Sequence, residues 1–574
     1  MSQYLFNSVP TIHRKRNVFD LSHKHFTDMN AGELNPIYVQ EVYPGDDFKI
    51  ESAFISRVTS SLLRPVMDNA YLDQMFFFVP SRLVYDKFKN VMGESEGAWA
   101  PSKTYRVPTL RETALAKGEP VMVETGSVCD KMGIPVGKEA DSLTDTVADT
   151  PSISLLPFRA FALIYNDWFR DENVEQPMLI QRGEANVSEY PNGNDWSPSN
   201  YMGRLPKVNK FHDYFTSALP APQKGDSVNL PIGDSAPIVG NGRKYASTTI
   251  IGGNTSFPYP DGKYNLVANY NHDDPSGTTF RLSMSAPENP NVDLTGSTEL
   301  DLGALSSNLS ADLSKATATD INDLRTLTQL QRMLERDARG GTRYIEYIRS
   351  AFGVDSGDYR LQRPEFLGGR RTPLQVQQVP QTTGAGTVTD GESLGSLGAY
   401  SLSFGTSSVR KGFVEHGYII GVACIRQKHT YQQGIEKFFL RSERTDFYDP
   451  VFQNLGEQPI YESEIYQAPG VKTTDIFGYQ EAWADLRQRP NRVSGALRSA
   501  SGSGLDIWHY ADNFGSAPVL NKAFLSETES NINRSLAVPH STHMNPQFIL
   551  EFDFKVRATR VLPKFSVPGL LDHN

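Results

Sequence analysis

The clearest hydrophobic pattern in the chain is a strict alternation near its C-terminal end. Apolar and mostly charged positions take turns there, with Phe548, Leu550, Phe552, Phe554 and Val556 alternating with Ile549, Glu551, Asp553, Lys555 and Arg557. Because successive side chains of a β-strand point to opposite faces, this spacing predicts a strand with one apolar and one mostly charged face. Such a strand fits an antiparallel sheet that packs one face on the core.

Residues 35–57 contain two β-like runs separated by the turn sequence PGDD at 44–47. Phe48, Ile50 and Phe54 fall on one face of the second run, which predicts that this face is buried. We interpret the two runs as a pair of strands joined by the turn.

Two further runs are apolar on both faces. Tyr71–Val79 is dense in aromatic residues and ends at Pro80, as a strand buried on both faces would. Phe413–Arg426 is a second candidate for a central strand. Ser81–Met92 has the pattern of a short helix, and Thr382–Ser408 is predicted to be a loop because it is rich in glycine, serine and threonine.

Three apolar stripes recur at helical spacing. They are Phe158, Phe161, Tyr165 and Trp168 in the first, Ile321, Leu324, Leu327, Leu330 and Leu334 in the second, and Tyr344, Ile345, Ile348 and Phe352 in the third. Pro157 suits the first turn of the first helix, and Asp320 can cap the second. Gly340 and Gly341 supply a joint between the second and third helices. Since apolar stripes are usually core, we interpret all three as packed helices.

Apolar periodicity nearly vanishes from residue 235 to 319, a segment crowded with glycine, asparagine, serine, threonine and proline. Such a segment cannot bury enough apolar surface to form a strong core of its own. Its evenly spread tyrosines favour an ordered surface excursion over a linker, because rigid aromatic side chains are useful in recognition: Tyr245, Tyr259, Tyr264 and Tyr270. We therefore divide the chain into 1–234, the first part of a β-core with helical insertions; 235–319, a variable surface insertion; and 320–574, a helical hairpin with the rest of the core.

The charge of the chain argues against simple binding of nucleic acid. The 574 residues include 56 basic and 66 acidic side chains, for a net charge of −10, so the overall field repels phosphate. The compact basic run near an end consists of His13, Arg14, Lys15 and Arg16. It is either a solvated surface run or an arm that contacts DNA phosphates. Weaker candidates for DNA contact are Arg370, Arg371, Lys555, Arg557, Arg560 and Lys564.

Cysteine usage and hydropathy indicate folding in a reducing cytoplasm. Cys129 and Cys424 are far apart and form no metal-binding spacing, so we expect no disulfide framework. We also expect no signal peptide and no membrane insertion, because the apolar runs are too short.

Motifs for catalysis or metal binding are weak. Residues 391–395 match the GxSxG pattern around Ser393, but no predicted strand and helix flank them. The histidine pairs His23 with His25 and His540 with His543 have neither the HExxH pattern nor a nearby cysteine cluster. We expect no enzymatic activity, no cofactor and no metal.

Several segments together resemble one family of proteins. They are Thr326–Gly369 (TLTQLQRMLERDARGGTRYIEYIRSAFGVDSGDYRLQRPEFLGG), Asp20–Asp46, Pro157–Glu172, His212–Gly233 and Ala482–Ser499. These segments are similar to the major capsid proteins of microviruses, small single-stranded-DNA bacteriophages, and especially of their gokushovirus branch.

The resemblance implies a mainly β fold, an eight-stranded antiparallel viral jelly roll with long loop and helical insertions. It further implies a T=1 icosahedral shell of sixty copies, assembled in the bacterial cytoplasm, with a circular single-stranded DNA genome on its inner surface. A small basic DNA-binding protein is the implied partner. The insertion at 235–319 would form a threefold protrusion that contacts a host cell-surface receptor.

Two other classes of protein remain open. A hydrolytic or carbohydrate-active β-protein would explain the aromatic loops, but we find no paired catalytic groups for it. A phage spike or receptor-binding trimer would explain the same loops without catalysis, although internal repeats are expected there and none is found.

Overall fold

The computed structural model describes most of the β-rich parts of the chain. The described residues are 15–94, 105–110, 125–135, 153–185, 201–226, 321–340, 343–355, 357–380, 397–472, 474–540 and 545–565, with short strands at 238–240, 265–270, 280–285 and 309–311. The chain divides into two compact units, one comprising Met1–Asp226 with Met333–Asn574 and the other Ser227–Arg332. The predicted insertion, residues 235–319, falls within the limits of the second unit.

The described part of the chain is mainly β. In chain order its strands are β1 (Asn17–Asp20), β2 (His23–Met29), β3 (Asn35–Val42), β4 (Asp47–Val58), β5 (Ala70–Pro80), β6 (Thr109–Leu110), β7 (Ile153–Ser154), β8 (Ile238–Gly240), β9 (Asn265–Tyr270), β10 (Phe280–Ser285), β11 (Leu309–Ala311), β12 (Glu365–Pro373), β13 (Val376–Pro380), β14 (Leu397–Gly412), β15 (Gly417–Gln427), β16 (Glu457–Tyr461), β17 (Ile476–Glu481) and β18 (Phe548–Arg560).

Most of the described helices are short. They are α1 (Ser81–Val84), α2 (Phe88–Val91), α3 (Val128–Lys131), α4 (Leu156–Ile164), α5 (Ile321–Gly340), α6 (Tyr344–Phe352), α7 (Glu462–Ile465), α8 (Lys522–Leu525) and α9 (Ser530–Asn533). A π-helical segment, Tyr165–Phe169, extends α4. Single 3-10 turns occur at Lys437–Phe439, Arg444–Asp446, Pro450–Phe452, Ala484–Leu486, Gly495–Leu497, Ser499–Ser501 and Leu505–Trp508. None of the described helices combines the length and hydrophobicity needed to cross a membrane.

Two antiparallel sheets form the core of the main unit, the name used here for Met1–Asp226 with Met333–Asn574. In the larger sheet β18 pairs with β4 on one side and with β1 and β2 on the other, and β14 and β13 continue the sheet beyond β4. The smaller sheet has the order β12-β5-β15-β3. One buried cluster contains Phe54 and Phe552 of the larger sheet together with Phe76 and Ile419 of the smaller one. The sheets therefore face each other across this core, which agrees with the predicted β-sandwich.

The strongest sequence pattern is confirmed in β18. The five apolar positions from Phe548 to Val556 are at most 3% exposed, whereas Ile549 on the opposite face is 53% exposed. Phe48, Ile50 and Phe54 of β4 are also buried, as their spacing predicted.

The strands β5 and β15 are buried on both faces, as predicted. Phe76 of β5 packs in the core between the sheets, while Phe77 joins a second cluster that includes Phe158 and Phe161 of α4. The helix α4 thus covers the outer face of the smaller sheet. The predicted core packing is confirmed for Phe158, Phe161 and Tyr165, whereas Trp168 is 36% exposed. Cys129 and Cys424 lie in the same second cluster as free, buried thiols.

The predicted pairing around residues 44–47 is wrong. Both strands exist, but β3 pairs with β15 in the smaller sheet and β4 pairs with β14 and β18 in the larger one. The turn at Gly45, which has φ +91°, therefore carries the chain from one sheet to the other. Each strand buries an apolar face, and placing these faces opposite each other across the core buries both at once.

The predicted loop at 382–408 is wrong from residue 397 onward, where β14 begins. Residues 381–396, including Ser393, lie outside the described residues. Inward positions of β14 carry small side chains such as Ser403 and Ser407, which are buried against the core. Gly405 has no room for a side chain, because an added Cβ would lie 2.6 Å from a ring carbon of Phe54 in the neighbouring strand and 2.7 Å from Oγ1 of Thr372 in β12 of the smaller sheet. Close packing of the sheets therefore explains a composition that is otherwise typical of a loop.

The predicted helices form, but they differ from the prediction in two ways. The segment 81–92 contains two separate turns, α1 and α2, and not one helix. The apolar stripes of α5 and α6 were predicted to pack in a core, but Leu324 and Leu330 of α5 are 49% and 40% exposed, and none of the nine described residues of α6 is buried. An apolar stripe can also serve a contact with another chain, and helical spacing does not distinguish the two cases.

In the second unit the described strands form two small antiparallel pairs. β8 pairs with β11, and β9 pairs with β10.

Candidate functional site

The outward face of the larger sheet carries a row of positive charges. Lys49 of β4 is opposite Arg410 of β14 on one side and opposite Arg557 of β18 on the other. Like charges placed directly opposite each other are unfavourable within a sheet. We call Lys49, Arg410 and Arg557 the cation row.

Carboxylates at the edges of the cation row offset part of its charge. Arg410 lies 3.4 Å from Asp47, and Lys49 lies 2.6 Å from Glu51. Asp20 is opposite Arg557, and hydrogen bonds from Ser22 lower the pKa of the Asp20 carboxyl. These pairs are solvent-exposed and therefore weak, so a phosphate could compete for the cations.

The predicted basic run lies at the edge of the same sheet. Lys15 and Arg16 are exposed and directly precede β1, which pairs with the end of β18. His13 and Arg14 lie outside the described residues. An added Cβ on Gly45 would come within 3.3 Å of Nη2 of Arg16, so Arg16 lies beside the turn between β3 and β4.

Two of the weaker candidates for DNA contact are engaged within the fold. Nε of Arg371 donates to Asp73 Oδ1 at 2.7 Å, and its guanidinium lies 4.0 Å from the ring centre of Phe211. Arg560 lies 3.2 Å from Asp46 and donates a hydrogen bond to a backbone carbonyl. Lys555, like Arg557, is exposed on the outward face of β18. The structure therefore brings Arg557 together with Lys49 and Arg410, and it engages Arg371 and Arg560 in ion pairs within the chain.

A buried charged cluster joins the end of β15 to distant segments. The His429 ring nitrogens lie 2.8 Å from Asp512 Oδ2 and 3.1 Å from Glu527 Oε2, and all three side chains are buried. Nζ of Lys210 lies 3.4 Å from Asp512, and the Asn531 amide donates to the same carboxylate at 2.6 Å. We call these five residues the His429 cluster.

The His429 cluster holds a proton rather than performing chemistry. Burial by itself lowers the pKa of His429, but the charges of Glu527 and Asp512 outweigh burial and raise the pKa to about 9. The pKa of Asp512 is lowered although burial opposes this, because His429 and Lys210 stabilise its charge. A protonated imidazole that donates from both nitrogens cannot act as a general base. The cluster gives no signal in the sequence, because its members are far apart in the chain.

A cavity of about 480 Å³ also lies in the main unit. Its lining includes Tyr214, Phe438, Glu464 and Arg489. The hydroxyl of Tyr214 donates to Glu464 at 2.9 Å, and Arg489 donates to Glu436 at 2.7 Å. Because these charged groups bind each other, the cavity presents apolar walls and paired ions, which suits packing better than catalysis.

Only some of the remaining predicted site residues lie in the part of the chain that the structure describes. Tyr245, Tyr259, Tyr264, Ser393 and His543 lie outside the described residues, and Tyr270 ends β9 without a described side chain. Nδ1 of His25 lies 2.9 Å from the Ile37 carbonyl, and Nδ1 of His540 lies 2.7 Å from the Asn545 carbonyl. Within the described part of the chain, no group of three or more possible metal ligands occurs.

Comparison with known proteins identifies the family. The family model "Capsid protein (F protein)" of phages matches residues 7–570. The chain belongs to this family of phage capsid proteins. This capsid protein is 37% identical to capsid protein VP1 of Bdellovibrio phage phiMH2K, with 99% of this chain and 98% of the relative covered.

Further relatives are equally similar over their whole length. Capsid protein VP1 of Spiroplasma virus 4 is 37% identical to this capsid protein, covering 97% of this chain and 96% of the relative. Capsid protein VP1 of Chlamydia phage 1 is 35% identical to this capsid protein, covering 98% of this chain and 97% of the relative. These relatives belong to microviruses, so this capsid protein is a structural component of the virion and not an enzyme, as the sequence predicted.

Proposed function

We propose that this capsid protein assembles into a T=1 icosahedral shell of sixty copies around a circular single-stranded DNA genome. The observation that carries the proposal is the family match over residues 7–570. Shells of identical subunits have closed point-group symmetry, and an icosahedral lattice has sixty equivalent positions. Assembly takes place in the bacterial cytoplasm, where Cys129 and Cys424 stay reduced.

The sandwich is proposed to be an eight-stranded jelly roll. Eight of its strands form two four-stranded halves with the orders β2-β18-β4-β14 and β12-β5-β15-β3. In this arrangement neighbouring strands in the chain, such as β3 and β4 or β4 and β5, lie in opposite sheets, which is the connectivity of a jelly roll. Long insertions between such strands leave the two sheets undisturbed, which suits a shell subunit.

The genome is proposed to contact the cation row and the adjacent run of His13, Arg14, Lys15 and Arg16. The unfavourable alignment of Lys49, Arg410 and Arg557 supports an anionic ligand. Because the whole chain carries a net charge of −10, a small basic protein must neutralise most of the DNA charge. Contacts to phosphates from these few cations are independent of sequence.

The insertion at 235–319 is proposed to form a threefold protrusion that binds a host cell-surface receptor. Two observations support this proposal: the loss of apolar periodicity in the segment, and the compact unit at Ser227–Arg332, which includes it. The tyrosines Tyr245, Tyr259, Tyr264 and Tyr270 suit recognition, since they provide large rigid contact surfaces.

The shell proposal is tested by expressing the chain with and without the phage's small basic protein, followed by sedimentation and negative-stain imaging. We expect closed icosahedral particles, and DNA inside them when the basic protein is present. Fully packed particles without that protein would contradict its proposed role. A stable trimer that never closes into a shell, even in its presence, would favour the spike alternative.

A further inference from the structure

The helix α6 is amphipathic, yet none of its nine residues is fully buried, and Ile345 and Ile348 are half-buried. Tyr344 and Phe352 are each 68% exposed, and Tyr347 is 38% exposed. The helix α4 has the same length, nine residues, and eight of its residues are buried. An apolar face of α6 is therefore open to solvent in the isolated chain.

The exposed side chains of α6 form a continuous surface. The ring of Tyr347 lies 6.4 Å from that of Tyr344 and 6.0 Å from that of Phe352. The Arg336 guanidinium lies 5.7 Å from the Tyr347 ring centre. Met333 and Val354, 42% and 54% exposed, flank α6 in the chain on either side. We call Met333, Arg336, Tyr344, Tyr347, Phe352 and Val354 the α6 surface.

Polar contacts hold α6 in place despite its exposure. Nη1 of Arg343 lies 2.7 Å from Glu172, and Nη2 donates to the carbonyls of Asn166 at 3.1 Å and Arg170 at 2.8 Å. Glu346 closes the first turn by accepting from the Arg343 backbone N–H at 3.0 Å. A nine-residue helix is marginal on its own, so these polar contacts add to the partial burial of Ile345 and Ile348 in holding α6 in place.

The composition of the α6 surface is that of a protein interface. Tyrosine, phenylalanine, methionine and arginine are the residues enriched at the centres of such interfaces and among their energetic hot spots. A surface for nucleic acid needs several free cations. Arg336 already lies 3.0 Å from Asp337, and α6 itself adds one exposed arginine, Arg349.

We propose that the α6 surface docks onto a second copy of this chain in the assembled shell. The inference rests on the proposed shell, in which the lateral surfaces of each subunit contact other copies of the same chain. A contiguous aromatic surface left open would promote non-specific association, and burial against a neighbouring copy removes it from water. The docking surface lies in the main unit.

The test compares two double variants of the full-length chain, each co-expressed with the small basic protein. Tyr344→Ser/Phe352→Ser removes the apolar surface, whereas Tyr344→Phe/Phe352→Leu keeps it and serves as the matched control. We expect the wild type and the control to form closed particles in sedimentation, and the serine variant to lose at least about tenfold in assembled fraction. The thermal unfolding midpoints of the unassembled chains should agree, since neither side chain is buried.

Assembly of the serine variant at the wild-type level would overturn the inference and leave the shell proposal intact. Failure of the wild type to assemble would overturn both.

A cross-linking measurement covers the case in which the serine variant does not fold. A photoreactive p-benzoylphenylalanine at position 344 should form covalent links between two copies of the chain in assembled particles, as detected by mass spectrometry of peptides. Links to DNA alone, or particles without links between chains, would refute the docking surface.

Discussion

The buried His429 shows at the residue scale how a proton can stabilise the fold. Its pKa is raised from 6.5 to about 9 in the folded protein. A group with a raised folded pKa contributes its full stabilisation at pH values below its unfolded pKa and loses it as the pH rises through the folded value. Since one pKa unit corresponds to about 1.4 kcal/mol, the contribution is on the order of 3 kcal/mol. The stabilisation by protonated His429 is therefore lost between about pH 6.5 and pH 9.

The His429 cluster should therefore make the fold sensitive to alkaline pH. We expect the thermal unfolding midpoint of the unassembled chain to decrease between pH 6.5 and pH 9. His429→Gln should lower stability at pH 6.5 by about 3–5 kcal/mol, because Asp512 and Glu527 lose their buried counter-charge. It should also flatten the dependence on pH. His23→Gln, which changes an exposed imidazole, is the control, and an equally steep pH dependence in His429→Gln would contradict this account.

At the element scale, β14 depends on close approach rather than on strand-forming side chains. Its glycines occupy different environments: an added Cβ at Gly405 would meet the Phe54 ring at 2.6 Å, whereas at Gly412 the nearest atom would be 3.9 Å away. Replacing either glycine by alanine restricts the backbone of the same strand, but only at Gly405 does the new methyl group lack space. Comparing the two variants therefore distinguishes steric crowding from the effect of alanine on backbone freedom.

Replacing these two glycines tests the packing of β14. Gly405→Ala should destabilise the chain by about 1–3 kcal/mol, since the core must move to accept a methyl group. Gly412→Ala should change stability by less than about 0.5 kcal/mol. Chemical denaturation of the unassembled chains measures both, and equal effects would show that the space around Gly405 is not limiting.

The helix α6 depends on one arginine for its attachment. Arg343→Met removes the contacts to Glu172 and to the carbonyls of Asn166 and Arg170, so the amides of α6 should exchange with solvent faster. We expect hydrogen–deuterium exchange to increase in residues 344–352 and to stay unchanged in β18. Arg349→Met alters an exposed arginine of the same helix and serves as the control. Unchanged exchange in Arg343→Met would mean that other contacts hold the helix.

At the scale of the whole molecule, substitutions in the cation row should affect DNA packaging without affecting the stability of the fold. Lys49→Gln, Arg410→Gln and Arg557→Gln together should reduce the DNA content of particles. The stability of the unassembled chain should stay within about 0.5 kcal/mol for each exposed site. Absorbance of purified particles at 260 and 280 nm measures packaging. Lys428→Gln with Lys472→Gln, at exposed lysines outside the row, is the control, and full packaging in the triple variant would remove the row from the proposal.

The insertion offers a second test at this scale. Deletion of residues 235–319, closed by a short glycine-serine linker, should leave particle assembly intact, because the sandwich is formed by residues outside the segment. We expect attachment to host cells to be lost in a binding assay with purified particles. Loss of assembly on deletion would show instead that the segment contributes to the shell itself.

The sequence by itself determined the family, the β-rich character and the best strands. The alternation in β18 and the two-sided burial of β5 and β15 could be predicted because each depends only on spacing within a single element. The helix α4 was predictable for the same reason. The resemblance of separated segments to microvirus capsid proteins needed no structure at all.

Tertiary structure alone decided which elements meet. The turn at Gly45 separates β3 and β4 into different sheets, and the close approach of the two sheets turns a glycine- and serine-rich segment into β14. The cation row and the His429 cluster exist only because pairing and folding bring distant residues together. The exposure of α6 likewise depends on what packs beside it, which is long-range information that the spacing of apolar residues within one helix does not contain.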